Sequence, residues 1–505
     1  STLNKIRGEI TEMEKQPCSI FNDVIGPVMR GPSSSHVAGA ARIADLVRQA
    51  MPGKITHVLC DFDPTGALAA SHTGHGTDMG FACGLLGIPL SNPDVDRYEA
   101  LAEDAGLSIE YRILEYGALH PGNYRIQATD DRGNCRHFEA VALGGGMVEM
   151  QKYEGHPIQV GGDYYEVLIL SEAGLEEKKF SQPRTESELR AFRERDGVKE
   201  VVYLKPVLPT LSGENAWVPY RTAAELLAYA EDHPMEPWEY AAYYESCRGG
   251  RTVEEVFRQM EEVLDVMEES VENGLAGTHY EDRILGAQST LVAKAEKAGR
   301  LLPDAPLNSV IRCITAVMES KSSMGLIVAA PTCGSCGCLP GTIIGLAKVL
   351  EFSREDCVKA LLTAGLIGVF FGEQATFSAE VGGCQVECGA ASGLAAAGTV
   401  QLVGGTIREC VDAASMALQN ITGLACDPVG NRVEVPCLGK NIMAGSNAIA
   451  SANMILSGFD KVVPLDETIQ AIYDIGLSLP LELRCTYGGL GKTKTGQRLW
   501  QKMNK

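Results

Sequence analysis

With 505 residues the chain exceeds what one ordinary core holds, so two or three domains are expected. Hydrophobic residues at 45% and charged residues at 22% are globular proportions and exclude wholesale disorder. A formal net charge of −21 excludes the basic face that nucleic acid or an anionic membrane surface requires, and reads as a device for solubility.

Along the chain, the opening Ser1-Thr2-Leu3-Asn4-Lys5 leads into polar, charged sequence without the apolar core of a signal peptide. No uninterrupted apolar run reaches the roughly 18 residues of a membrane helix, and short ones such as 361–371 read as buried helix. A cytoplasmic location with no membrane partner is therefore expected. The sixteen cysteines are spread over a chain too long for a secreted disulfide scaffold. They are expected to be reduced: mostly small buried residues, with a few available as metal ligands.

Val37 to Met51 has the apolar spacing of an amphipathic helix. Ile55 to Phe62, Tyr124 to Thr129 and Tyr164 to Ser171 alternate as strands do, and Gly144-Gly145-Gly146 reads as a turn between strands. Residues 173–218 are charged, carry prolines at 183, 206 and 209, and read as a surface connection or small appendage. Thr252 to Asn273 predicts a charged amphipathic helix, with Val253, Val256, Phe257, Met260, Val263, Leu264 and Met267 on its apolar side and Gly274 as its stop. After 284 the sequence turns to Ala, Gly, Leu and Ile, a composition suited to closely packed helices. The pattern predicts a multidomain α+β protein: an N-terminal mixed α/β domain over 1–172, a connecting segment over 173–219, and a predominantly α-helical domain over 220–505.

All nine histidines lie at or before His279, whereas eleven of the sixteen cysteines lie after it. A metal held by the C-terminal part must therefore be held by thiolate or carboxylate. Three cysteines stand beside turn-forming residues, in Val381-Gly382-Gly383-Cys384-Gln385, Ala425-Cys426-Asp427-Pro428 and Val435-Pro436-Cys437. Loop ends and helix starts let side chains converge and stabilise thiolates. Their spacings of 42 and 11 residues match neither a zinc ribbon nor a compact ferredoxin run. Spacing alone leaves two readings open, a metal site and three buried thiols.

In the N-terminal part, Ser33-Ser34-Ser35-His36 precedes the first predicted helix. Hydroxyls and amides at a helix start suit a carboxylate, and equally a plain serine cap. In His72-Thr73-Gly74-His75-Gly76-Thr77-Asp78 the flanking glycines favour a loop over a helical metal pair. His75 reads as an acid or base in that loop and His72 as a bystander. The loop Ala330-Pro331-Thr332-Cys333-Gly334-Ser335-Cys336-Gly337-Cys338 allows close backbone approach to a carboxylate; its thiols read as small residues filling a tight turn rather than a redox pair.

Taken together these elements resemble the iron–sulfur L-serine dehydratases. The residues that carry the resemblance are Gly383-Cys384-Gln385, Cys426-Asp427-Pro428-Val429, Val435-Pro436-Cys437, the 330–337 loop, Arg484 with Gly488-Gly489-Leu490, and the two N-terminal motifs above. The order and spacing run through about 17–172 and 220–495. The resemblance implies a single-chain form with fused β-type and α-type parts, the helical one catalytic, and a homodimer. It further implies a [4Fe-4S] cluster on Cys384, Cys426 and Cys437 that eliminates water from L-serine or a close 3-hydroxy amino acid, giving a 2-keto acid and ammonia. In that picture His75 and His36 are catalytic, and Ser33, Ser34, Ser35, Thr77, Asp78, Thr332 and Gly334 bind the amino-acid substrate. The sequence departs from the family in the inserted 173–218 stretch, in the tail after Gly491 and in two further respects. Val381 replaces the glutamate expected three residues before the first cluster cysteine, with Glu380 one earlier, and the terminal tail lacks the family's cysteine, leaving Cys485 as the nearest. Desulfidation of L-cysteine at the same cluster, and a non-catalytic iron–sulfur sensor, are the competing readings.

Overall fold

A computed structural model of the chain describes residues 16–213 and 216–503; the polar opening segment 1–5 and the last two residues lie outside the described residues. The sequence signals translate into an N-terminal part built on sheets and a C-terminal part built almost entirely of helices.

Strand β1 (Val28–Met29) is followed by helix α1 (Gly39–Ala50), strand β2 (Ile55–Phe62) and helix α2 (Thr77–Leu86). Strands β3 (Ser108–Ile113), β4 (Asn123–Asp130), β5 (Cys135–Gly144), β6 (Met147–Tyr153) and β7 (His156–Val160) complete a six-stranded sheet of order β3-β2-β4-β5-β6-β7. Only β2 and β3 run parallel; the remaining neighbours are antiparallel, with Tyr124 opposite Ala140 and Ile126 opposite Phe138. Alternation in β4 places Tyr124, Ile126 and Ala128 in the core. The apolar face of α1 packs there with them, sharing one core of Ile43, Leu46 and Val47 with Val58 and Phe62. The turn Gly144-Gly145-Gly146 takes positive φ throughout, as a β5–β6 connection built of glycine can.

The charged stretch after 172 is more than a connection. Strands β8 (Tyr165–Ser171), β9 (Gly174–Phe180) and β10 (Val198–Leu204) form a second antiparallel sheet with β8 in the centre. A short helix, Glu186–Arg193, capped by Thr185 and Glu188, closes it over Val167, Ile169 and Leu189.

The C-terminal part packs helices α3 (Val253–Ala276), α4 (Ala305–Ser322), α5 (Cys338–Leu350), α6 (Arg354–Gln374), α7 (Cys388–Leu402) and α8 (Cys437–Leu456), and ends in α9 (Lys494–Met503). By composition the stretch Cys333–Leu350, which includes α5, is apolar enough to cross a membrane, with a mean hydropathy of 1.4, but 78% of it is buried inside the fold. The first described residues belong spatially to this half. Ser19 Oγ donates to Glu245 at 2.6 Å, Tyr244 donates to the Cys18 carbonyl at 2.8 Å, and β1 pairs with a two-residue strand β11 (Ile327–Val328). The chain thus stitches the two halves together before the N-terminal sheet begins.

Gly274 does not stop α3, which continues to Ala276. A Cβ at Gly274 would stand 2.1 Å from the Ala316 carbonyl oxygen, so glycine is required there for the close approach of α3 to α4. The helix ends instead at Gly277, with φ +97°. Gly274→Val is expected to destabilise the protein by about 1–3 kcal/mol through overpacking. Gly286→Ala, where the added methyl meets nothing within 4 Å, is expected to change little. Paired thermal melts measure the difference, and equal melting temperatures would contradict the packing role.

Candidate active site

The Ser33-Ser34-Ser35-His36 motif forms a widened helical turn, Ser34–Ala38, ahead of α1, with the Ser33 hydroxyl accepting from the His36 amide. The turn points His36 inward. Its Nε2 lies 2.8 Å from Ser71 Oγ, and that hydroxyl already donates its proton to the Ala67 carbonyl at 2.7 Å. Nε2 is therefore the protonated nitrogen. Nδ1 accepts from the Ser33 hydroxyl at 3.0 Å, and the Ser35 oxygen, whose proton goes to Glu380, lies 3.3 Å away. Burial pulls the His36 pKa down to about 3, with nearby His72 adding to the effect. The approach of Glu380 Oε1 to Nδ1 at 3.6 Å is accordingly not an ion pair at neutral pH, because the imidazole is uncharged.

His75 stacks edge-on against His36 at 4.8 Å between ring centroids and is only 1% exposed. Neither of its ring nitrogens has a hydrogen-bond partner. Burial first, and then His36, lower its pKa to about 3. Gly76, with φ +86°, turns the chain from this loop into α2. The rest of the motif points elsewhere: Asp78 binds His72 Nδ1 at 2.6 Å and accepts from Thr73 at 3.1 Å, and Thr77 is fully buried. Neither Thr77 nor Asp78 lines the cavity that His75 faces.

That cavity sits between the two halves. Ser33, Ser35 and His75 line it from the N-terminal side; Thr332, Gly334, Cys384, Cys426 and Cys437 line it from the helical side. Ser34 and His36 stand behind the wall. Ser34 Oγ accepts from the Cys333 amide at 3.3 Å, tying the serine turn to the 330–338 loop. In that loop Cys333 and Cys336 are buried against Met29 and Met318 and do not reach the cavity.

Each cavity cysteine is delivered by a chain reversal. Gly383, with φ +71°, ends a short helix and starts a tight turn at Cys384. Cys426 is held in a two-strand bridge, its amide donating to the Leu483 carbonyl at 2.9 Å and its carbonyl accepting from the Cys485 amide at 3.0 Å. Cys437 opens α8 directly after Pro436. A hydrogen bond from Cys388 lowers the Cys384 pKa to about 7, whereas burial raises that of Cys437 to about 12. Among the described residues no three His, Cys, Asp or Glu side chains stand at the spacing of ligands to a single metal ion. Cys384, Cys426 and Cys437 nevertheless reach one shared cavity from separate loops. Thiolate is the ligand iron–sulfur chemistry requires.

Four further groups line the cavity that sequence reasoning did not assign to it. Glu380 accepts from Ser378 at 2.7 Å and Ser35 at 3.3 Å. Lys440 donates to the Ala425 carbonyl at 2.6 Å and to Asp427 at 2.8 Å. Glu387 accepts from Thr332 Oγ1 at 2.6 Å, and burial together with Cys384 raises its pKa to about 8. Cys485, in a left-handed conformation with φ +62°, brings a fourth thiol next to Cys426. The signal for Glu387 was present: it is a lone acid in the otherwise uncharged stretch 381–402. A wider cleft of 580 Å³ adjoins the cavity, sharing Pro32 and Val433 with it.

A family model described as serine dehydratase alpha chain matches residues 185–490. The chain is 39% identical over 254 residues to the probable L-serine dehydratase, alpha chain, of Bacillus subtilis (strain 168), covering 50% of this chain and 85% of that one. It is 32% identical over 280 residues to the L-serine dehydratase, alpha chain, of Peptoniphilus asaccharolyticus, covering 55% and 96%. Similarity to L-serine dehydratase 1 of Escherichia coli (strain K12) is lower, 27% over 480 residues, but takes in 91% of this chain and 95% of that one.

Proposed function

The chain belongs to the L-serine dehydratase family in its single-chain form, and from that premise we propose that it converts L-serine to pyruvate and ammonia at a [4Fe-4S] cluster held by Cys384, Cys426 and Cys437. The observation that carries this reading is the convergence of those three thiols and the unpartnered His75 on one cavity between the halves. Bound there, the cluster supplies a Lewis acid, since three thiolate ligands leave one iron to take the substrate hydroxyl, a poor leaving group on its own.

The protein's own residues supply the rest. Ser33 and Ser35, which line the cavity and whose hydroxyls contact each other, His36 and Glu380, bind the substrate carboxylate. Ser34 is engaged by Cys333 and takes no part in binding. His75 is kept neutral by burial, so a ring nitrogen offers a lone pair to the Cα proton. Loss of that proton and of hydroxide leaves 2-aminoacrylate. Its imine tautomer takes up one water and releases ammonia and pyruvate, so the atoms balance without an added oxidant. His36 positions His75 through their ring contact and does not touch the substrate. Among the described residues the cysteines are joined by no disulfide, in keeping with a reducing compartment such as the cytoplasm.

The test is anaerobic purification with iron, sulfide and EPR analysis, followed by a pyruvate assay with L-serine. About four irons and four sulfides per chain are expected, with pyruvate formed. A cluster that releases sulfide from L-cysteine and no pyruvate from L-serine would replace the substrate. Absence of any cluster would overturn the proposal.

A further inference from the structure

An α-amino acid brings a cation as well as an anion into the cavity, and an ammonium taken from water needs a charged or strongly polar partner. Three carboxylates line the wall: Glu380, Glu387 and Asp427. Two have both oxygens engaged by the protein. Glu380 holds Ser35 through Oε1 and Ser378 through Oε2. Asp427 holds Lys440 through Oδ1 and the Leu490 amide, at 2.9 Å, through Oδ2.

Glu387 is built differently. Its Oε2 accepts a strong hydrogen bond from Thr332 Oγ1 at 2.6 Å, which fixes the carboxylate. Its Oε1 has only the Cys426 thiol, a weak donor, at 3.9 Å. The loop backbone packs closely beneath: a Cβ at Gly334 would lie 2.8 Å from Oε2, so glycine leaves room for the carboxylate where a larger residue would displace it. The side chain is thus anchored through one oxygen and presents the other to the cavity among the three proposed ligand cysteines, where a bound ammonium would supply positive charge in the buried site and so favour the ionised carboxylate. We propose that Glu387, oriented by Thr332, binds the α-ammonium of the substrate and selects amino acids over hydroxy acids of the same shape. The proposal rests on the reading of this cavity as an amino-acid lyase site and names the residue that makes it one.

The test separates the ammonium from the rest of the ligand. L-alanine and L-lactate differ only by ammonium against hydroxyl and lack a β leaving group, so calorimetry reads their binding without turnover. Full-length, anaerobically prepared wild-type protein is expected to bind L-alanine about 10–100-fold more tightly than L-lactate, the range of a hydrogen bond to a charged group. Glu387→Gln should lose that preference by weakening L-alanine alone, and should raise KM for L-serine by a similar factor while iron content holds. Thr332→Val, which removes only the orienting hydroxyl, should shift the same preference in the same direction by less, and serves if Glu387→Gln fails to fold. A preference that survives both changes, or equal losses for both ligands, overturns the assignment. Wild-type protein that carries a cluster yet neither turns over L-serine nor binds L-alanine sinks the amino-acid reading itself, before any variant is compared.

Discussion

Replacing Cys384, Cys426 or Cys437 by Ala in anaerobically prepared protein is expected to remove the brown chromophore, or leave a degraded cluster, and to lower kcat by about 10³-fold or more. Lewis-acid assistance to a leaving hydroxide is worth several kcal/mol, and each 1.4 kcal/mol is a factor of about ten. The three cysteines occupy a turn after Gly383, a two-strand bridge and the first residue of α8. None is in the interior of a regular element, so truncation should spare the far-ultraviolet circular dichroism. Cys333→Ser and Cys336→Ser are the matched controls. Both thiols are buried against methionines and off the cavity, so iron should be retained although stability falls. Full iron, sulfide and activity in all three alanine variants would refute the ligand set. Loss of iron from the Cys333 or Cys336 variant would bring that loop into it.

That these cysteines sit at chain reversals was legible because each stands beside Gly, Pro or an Asp-Pro turn, and such residues announce reversals. The loop placement of His75 was legible for the same reason, through Gly74 and Gly76. Periodicity located α1 but not the widened turn before it, although that turn is what aims His36 at Ser71. It also missed β9, whose run Gly174-Leu175-Glu176-Glu177-Lys178-Lys179-Phe180 shows no alternation of apolar and polar residues; pairing with β8, not burial, specifies this strand. Gly274 was misread because a glycine that permits helix contact and a glycine that ends a helix look alike in sequence. Glu387 and Glu380 gain meaning from tertiary neighbours 39 and 345 residues away, and Lys440 from partners 13 and 15 residues back; no local pattern encodes which oxygen of a carboxylate the fold leaves to a ligand.

Among single histidine changes, His75→Gln is expected to cost the most, about 10²–10⁴-fold in kcat, the usual contribution of a positioned base. Glutamine keeps polarity and approximate volume but cannot take a proton, so iron content, the EPR signal and L-alanine binding should persist. The loss should fall on Cα–H cleavage, so that a primary isotope effect with 2-deuterated L-serine grows in the variant. The pH profile gives a second check. With its folded pKa lowered to about 3 by burial, His75 stays neutral through the range in which an exposed histidine, near 6.5, would become protonated. The acid limb of kcat/KM in the wild type should therefore lie well below pH 6.5. The same shift acts on folding. Between the folded value and 6.5 the unfolded chain binds the proton that buried His75 refuses, so stability is full above 6.5 and declines as pH falls through that window, by up to about 1.4 kcal/mol per pH unit. His75→Gln removes one such group, and the variant should lose stability less steeply on acidification even as it loses activity. A variant with near wild-type kcat would remove His75 from the chemistry. Unchanged acid sensitivity of folding would show instead that the imidazole is not held neutral.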